Sequence, residues 1–161
     1  MERARVHLSP DGRYLDANDE ALGLMNISRD ELDQFDVSSF TPPEYRDVVL
    51  EAWLVRATTG PIRTSGKTTF YPKGGPPVGI AYEDSREPDG TFVVTFELAG
   101  DPPPPSSSVA LLALMLRGIR EAEHQLEGLP ADSPERTRLE ADIAGLRYAY
   151  ELMVRSRIQS G

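Results

Sequence analysis

Residues 100–108, GDPPPPSSS, constrain this chain more than any other stretch. Four consecutive prolines remove four backbone donors and fix φ, so neither a helix nor an interior strand can run through them. The segment is expected as stiff, extended polyproline leading into a serine tract. It divides the 161 residues into two parts with different periodicities. Before it, turn signals separate short alternating runs. After it, apolar residues recur at helical spacing. The division predicted is a domain over 1–99, a Pro/Ser linker over 100–108 and a helical hairpin over 109–158.

The first part reads as strands and helices in a definite order. Residues 4–8 form a strand with Val6 and Leu8 on one side, and Pro10-Asp11-Gly12 supplies the turn to a second strand over 13–17. Asn18 caps a helix starting at Asp19 and ending near Met25. Ser28 starts another over 28–35, and Glu31 three residues on completes a capping box. Pro43 suits the first turn of a longer helix over 44–58, with Tyr45, Val48, Val49, Ala52 and Trp53 on one side and Gly60-Pro61 as its end. Three strands follow, over 62–71, 78–83 and 91–98. They are joined by a loop containing Gly74-Gly75 and by the turn Glu87-Pro88-Asp89-Gly90. This order of elements predicts an antiparallel sheet with helices packed on one side, an α+β design.

The stretch SPDGRYLDANDEALGLMNISRDEL, residues 9–32, adds a family resemblance. An Asp-Gly turn, a strand ending in Asp-Ala-Asn, an alanine-containing helix and Ser-Arg-Asp-Glu-Leu resemble the opening of a PAS sensory domain. The likeness is close over 11–32 and keeps the same order of elements to Leu98. It implies five strands in a curled antiparallel sheet, helices over the concave face, and a sensory or regulatory role. A small-molecule pocket between sheet and helices would be lined by Met25, Phe40, Val49, Trp53 and Thr64, with Thr68, Phe70, Ile80, Tyr82 and Phe96. The competing reading of those residues is a filled core.

The second part lies outside the resemblance. Residues 109–116, VALLALML, are apolar nearly all round, so the helix they begin needs several neighbours. Gly128 ends it, and Ser133-Pro134 starts a second helix with cap and first-turn proline in their preferred places. In that helix Leu139, Ile143, Leu146, Tyr150 and Met153 recur at heptad spacing. Together with Leu111, Leu112, Met115, Leu116 and Ile119 they form the expected dimer or partner interface. A homodimer whose two hairpins build a four-helix bundle would bury them. The alternative is a monomeric small-molecule-binding domain whose hairpin folds back over the sheet.

Composition excludes several classes. A formal charge of −9 disfavours nucleic acid and anionic membrane, which require a basic face. No apolar run exceeds eight residues, and no signal core follows the first five. The chain has no cysteine, which removes disulfides, thiolate nucleophiles and cysteine adducts to flavin, and fits a cytoplasmic chain. Oxygen-sensing haem PAS domains carry an axial histidine in the long helix before its closing Thr-Gly. The matching position here falls near Val49, and that helix has no histidine. No cofactor and no metal are expected. His124 sits where a histidine kinase would place its phosphoacceptor, but REAEHQLEGLP departs from that pattern, and an exposed helix histidine is expected instead. His7 lies in a strand with no second ligand nearby. Asp33 with Asp36, and Glu83 with Asp84, are carboxylate pairs expected at the solvated surface, since none converges with a nucleophile or a glycine-rich loop. The expected protein is a non-catalytic module.

Overall fold

The computed structural model describes residues 2–60, 62–103 and 107–160. Pro61 and residues 104–106 of the expected polyproline run lie outside the described residues. The chain runs through β1 (Ala4–Leu8), β2 (Tyr14–Ala17), α1 (Asp19–Met25) and a 3-10 helix over Arg29–Gln34. A 3-10 turn at Pro43–Tyr45 then feeds α2 (Arg46–Thr59). After β3 (Arg63–Phe70), β4 (Val78–Arg86) and β5 (Phe92–Leu98) come α3 (Ser107–Glu127) and α4 (Pro134–Ser160).

The five strands form one antiparallel sheet in the order β2-β1-β5-β4-β3. β5 returns to lie between β1 and β4, so the two ends of the first part of the chain pair at the centre of the sheet. Strand alternation then sends Val6, Ile80, Phe92 and Phe96 to one face, where they pack with Met25 and Ala21 of α1. Gly12 is needed at the β1–β2 turn. Its φ is +87°, and a Cβ there would sit 3.0 Å from Val37 Cγ2 and 3.1 Å from Trp53 Cδ1.

Caps set the helix entries. Asn18 Oδ1 accepts from the Ala21 amide at 3.0 Å and also from the Arg5 amide at 2.9 Å, so one side chain starts α1 and fastens it to β1. Glu31 Oε2 accepts from the Ser28 amide at 2.9 Å, as the capping box predicts. The helix expected over 28–35 is a 3-10 helix, however. Only Leu32 of it is buried, so little packing rewards the longer α form.

α2 covers the inner face of the sheet, and the α3–α4 hairpin packs on the far side of α2. The hairpin expected over the sheet in the alternative reading is therefore corrected: it lies on α2. The reason is visible in α2, which has apolar residues on two sides. Trp53 and Ala57 join the sheet core, while Val48, Ala52 and Val55 join a second cluster with Leu112, Leu116, Ile119, Ile143, Tyr150 and Val154. Helix α2 is thus shared by two cores. The linker leaves β5 across β4 at Gly79, where a Cβ would stand 2.7 Å from the Asp101 carbonyl oxygen, and Thr69 Oγ1 donates to the Pro103 carbonyl at 2.8 Å.

Candidate functional site

The most distinctive polar constellation lies between α2 and the sheet. β4 continues three residues past its expected end at 83, and strand alternation carries Ile80, Tyr82 and then Asp84 to the inner face. Asp84 is 8% exposed and faces Arg56 of α2, 5% exposed. Arg56 Nη2 donates to Asp84 Oδ1, and Thr64 Oγ1 of β3 donates to Asp84 Oδ2 at 2.6 Å. The Arg56 guanidinium carbon stands 5.2 Å from the centroid of the Phe92 ring, and Trp53 packs edge-on against that same ring at 4.7 Å. One turn of strand on, Arg86 Nη1 donates to the Ala57 carbonyl at 3.2 Å, taking up a free acceptor at the C-terminal end of α2. Asp84 therefore departs from its expected place at the solvated surface. Two inward charged residues of β4 hold the last turns of α2.

The signal for this arrangement was present in the sequence. The alternation that puts Val78, Ile80 and Tyr82 inward reaches Asp84 if it is not stopped at the first charges, and Arg56 follows Trp53 by three residues, on the same helix face.

The residues expected to line a pocket mostly meet one another. Phe40 stacks on Phe70 at 5.0 Å, and Phe70 lies 6.0 Å from Phe96. Met25 and Ile80 are buried in the same cluster, and Trp53 and Tyr82 pack against it half-buried. Thr64 is engaged with Asp84. Val49 is half-buried and Thr68 is exposed, and neither joins that cluster. The Trp53 indole Nε1 is buried and has no hydrogen-bond partner among the described residues. Burial pushes the Tyr14 hydroxyl well above its ordinary range, with Asp36 nearby adding to the shift. A separate surface depression of about 300 Å³ lies at the turn end of the hairpin, lined by Leu129, Pro134 and Leu139 with Glu135, Arg138 and Asp142.

The residues expected at an interface divide into two sets. Leu112, Leu116, Ile119, Ile143 and Tyr150 are buried inside the chain, and Met115, Leu139 and Met153 pack beside them. Leu111 and Leu146 are exposed. Arg120 of α3 pairs with Asp47 of α2 at the junction of hairpin and α2, and within the hairpin Arg147 Nε of α4 donates to Glu123 of α3 at 3.1 Å. The Tyr150 hydroxyl is pushed above its ordinary range, first by burial and then by Glu51 of α2. His124 is exposed and lies 3.5 Å from Glu127. Among the described residues no group of three or more histidines and carboxylates is arranged to hold a metal ion, and no helix is long and apolar enough to cross a membrane.

No protein-family model matches the chain, and no curated protein matches it. Solved structures do. A domain of the sensory box sensor histidine kinase/response regulator from Geobacter sulfurreducens superimposes with a TM-score of 0.53 at 19% identity, covering 59% of this chain and 82% of that one. The PAS domain of an HTR-like protein from Haloarcula marismortui gives a TM-score of 0.48 at 11% identity, covering 60% and 86%. A PAS domain from a two-component sensor histidine kinase gives 0.48 at 16%, covering 60% and 85%. The chain is an α+β protein with the PAS fold, extended by a C-terminal pair of helices.

Proposed function

We propose that this chain is a non-catalytic sensory or regulatory module whose PAS-like core acts through the helical hairpin, by dimerisation or by binding a signalling partner. One observation carries the reading: α2 belongs to both cores. On one side Trp53, Ala57 and the buried Arg56–Asp84 pair fix it to the sheet, and on the other Val48, Ala52 and Val55 seat the hairpin. A change in the core that favours a second position of α2 must move what rests on it, with the size of the effect set by the differential affinity for the two states. Hydrogen exchange on full-length protein tests this. Asp84→Asn should raise exchange in α3 and α4, which pack on the other side of α2, while β1 and β5 stay protected. Unchanged hairpin protection, with the α2–sheet contact demonstrably loosened, would reject the reading.

A second reading is favoured by the Trp53 indole, a buried donor without an acceptor among the described residues, since such groups ordinarily find a partner. In this reading a small molecule bearing an acceptor enters beside Trp53, between α2 and the sheet, among Met25, Phe40, Phe70 and Tyr82. Native mass spectrometry decides it: a retained small molecule lost on Trp53→Phe supports it, and bare protein mass in both forms removes it.

A further inference from the structure

Helix α4 has more apolar surface than its own chain covers. Ile143, Tyr150 and Val154 are spent on the cluster beneath the hairpin. On the opposite side, Ala141, Gly145, Tyr148 and Leu152 follow one another at steps of four, three and four, and all four are exposed. Tyr148 is 67% exposed and Leu152 48%. Gly145 stands in the middle of a 27-residue helix, where glycine is unfavourable, and a Cβ built on it meets nothing within 4 Å. Packing within the chain therefore gives no reason for a glycine there. A helix apolar on two sides needs two neighbours.

We infer that this second face is the docking site for the same face of a second copy of this chain, with the two α4 helices antiparallel. This rests on the reading of the hairpin as the acting element. The order of sizes along the stripe is small, small, large, large. Turned antiparallel about its middle, Ala141 meets Leu152 of the second copy and Gly145 meets Tyr148, so each large side chain faces a small one at all four levels. Parallel pairing would set Tyr148 on Tyr148 and leave a gap at Gly145. Charge agrees with this choice. The exposed Glu140 and Arg155 lie on the same side of the stripe, and the antiparallel register sets Arg155 near Glu140 of the second copy, a carboxylate that Arg136 of its own helix already holds at 2.9 Å. Arg155 has no ion-pair partner among the described residues. The face runs about 21 Å, at 1.5 Å per residue from Ala141 to Arg155. A single helix pair of that length buries well under the roughly 800 Å² per partner of a standard interface, so the association is weak and concentration-dependent.

Sedimentation equilibrium on the full chain, over roughly 10–1000 µM, is the test. The weight-average mass should climb from 17.8 kDa toward twice that value. Tyr148→Glu should hold it at the monomer with circular dichroism unchanged, because the side chain is exposed. Since the chain has no cysteine, orientation is read separately by oxidation. Ala141→Cys combined with Leu152→Cys should give covalent dimers, and Leu152→Cys alone should give none. Monomer at every concentration overturns the inference, and so does a dimer that survives Tyr148→Glu. Cross-linking by Leu152→Cys alone overturns the antiparallel arrangement. None of these results touches the hydrogen-exchange test of the shared helix, so the two readings fail independently.

Discussion

Removing the Asp84 carboxylate is the most informative perturbation of the core. In Asp84→Ala the Arg56 guanidinium stays between α2 and the sheet, 5% exposed, without its carboxylate. The Thr64 hydroxyl loses the acceptor it holds at 2.6 Å. Breaking one partner of a buried ion pair costs about 3–5 kcal/mol, mostly the penalty of the stranded charge. The Thr64 bond is part of the same network, so its loss is not added in full. Against the roughly 5–15 kcal/mol that holds a domain together, this is a large fraction. With a urea slope of about 2 kcal/mol/M, the unfolding midpoint should fall by about 1.5–2.5 M. The pair Arg56→Met with Asp84→Leu should recover most of that loss, because two apolar side chains leave no stranded charge. A loss below about 1 kcal/mol in Asp84→Ala would mean that the pair is hydrated and does not anchor α2.

Two further outcomes follow from the packing and the charges. Phe40→Ala removes the ring stacked 5.0 Å from Phe70 and should cost about 3–5 kcal/mol in chemical denaturation. The Glu31 carboxylate is held down to about 2 by the Lys73 ammonium at 2.5 Å and by the Ser28 amide and hydroxyl. A carboxyl depressed in the folded state stabilises it above the ordinary value of 4.5, and that contribution is lost as pH falls from there toward 2. Glu31→Gln should therefore lower the thermal midpoint above about 4.5, flatten its fall between there and about 2, and leave the most acid end of the curve in place.

Local chemistry made the start of the fold legible. The strand over 4–8 is found at those bounds, where the alternation of Val6 and Leu8 ends at the Pro10-Asp11-Gly12 turn, although its pairing with β2 shifts register between His7 and Leu8. Asn18, Ser28 and Ser133 act where capping residues act, and the Ser133 hydroxyl accepts from the Arg136 amide at 3.2 Å. What local chemistry did not show is what a helix with two apolar sides chooses. The spacing of Val48, Val49, Ala52 and Trp53 suggested one buried face, but a broad stripe on a 14-residue helix serves a single partner or two equally well. Only the tertiary arrangement gives Val48 to the hairpin and Trp53 to the sheet. Asp84 was read as surface for a related reason. A carboxylate in a strand looks solvated until its cation is found, and Arg56 lies 28 residues away in the chain.

The shared helix is tested most directly by a double-mutant cycle in equilibrium unfolding that combines Val48→Ala, on the hairpin side of α2, with Asp84→Asn, on the sheet side. Val48 belongs to the hairpin cluster and Asp84 is bound to Arg56 and Thr64, so independent effects would add to within about 0.3–0.5 kcal/mol. If α2 is one body held from both sides, loosening it on one side lowers what remains to be lost on the other. The double variant should then be less destabilised than the sum of the singles by more than about 0.5 kcal/mol. Additivity within that margin would show that the sheet and the hairpin grip α2 independently, and would contradict the account.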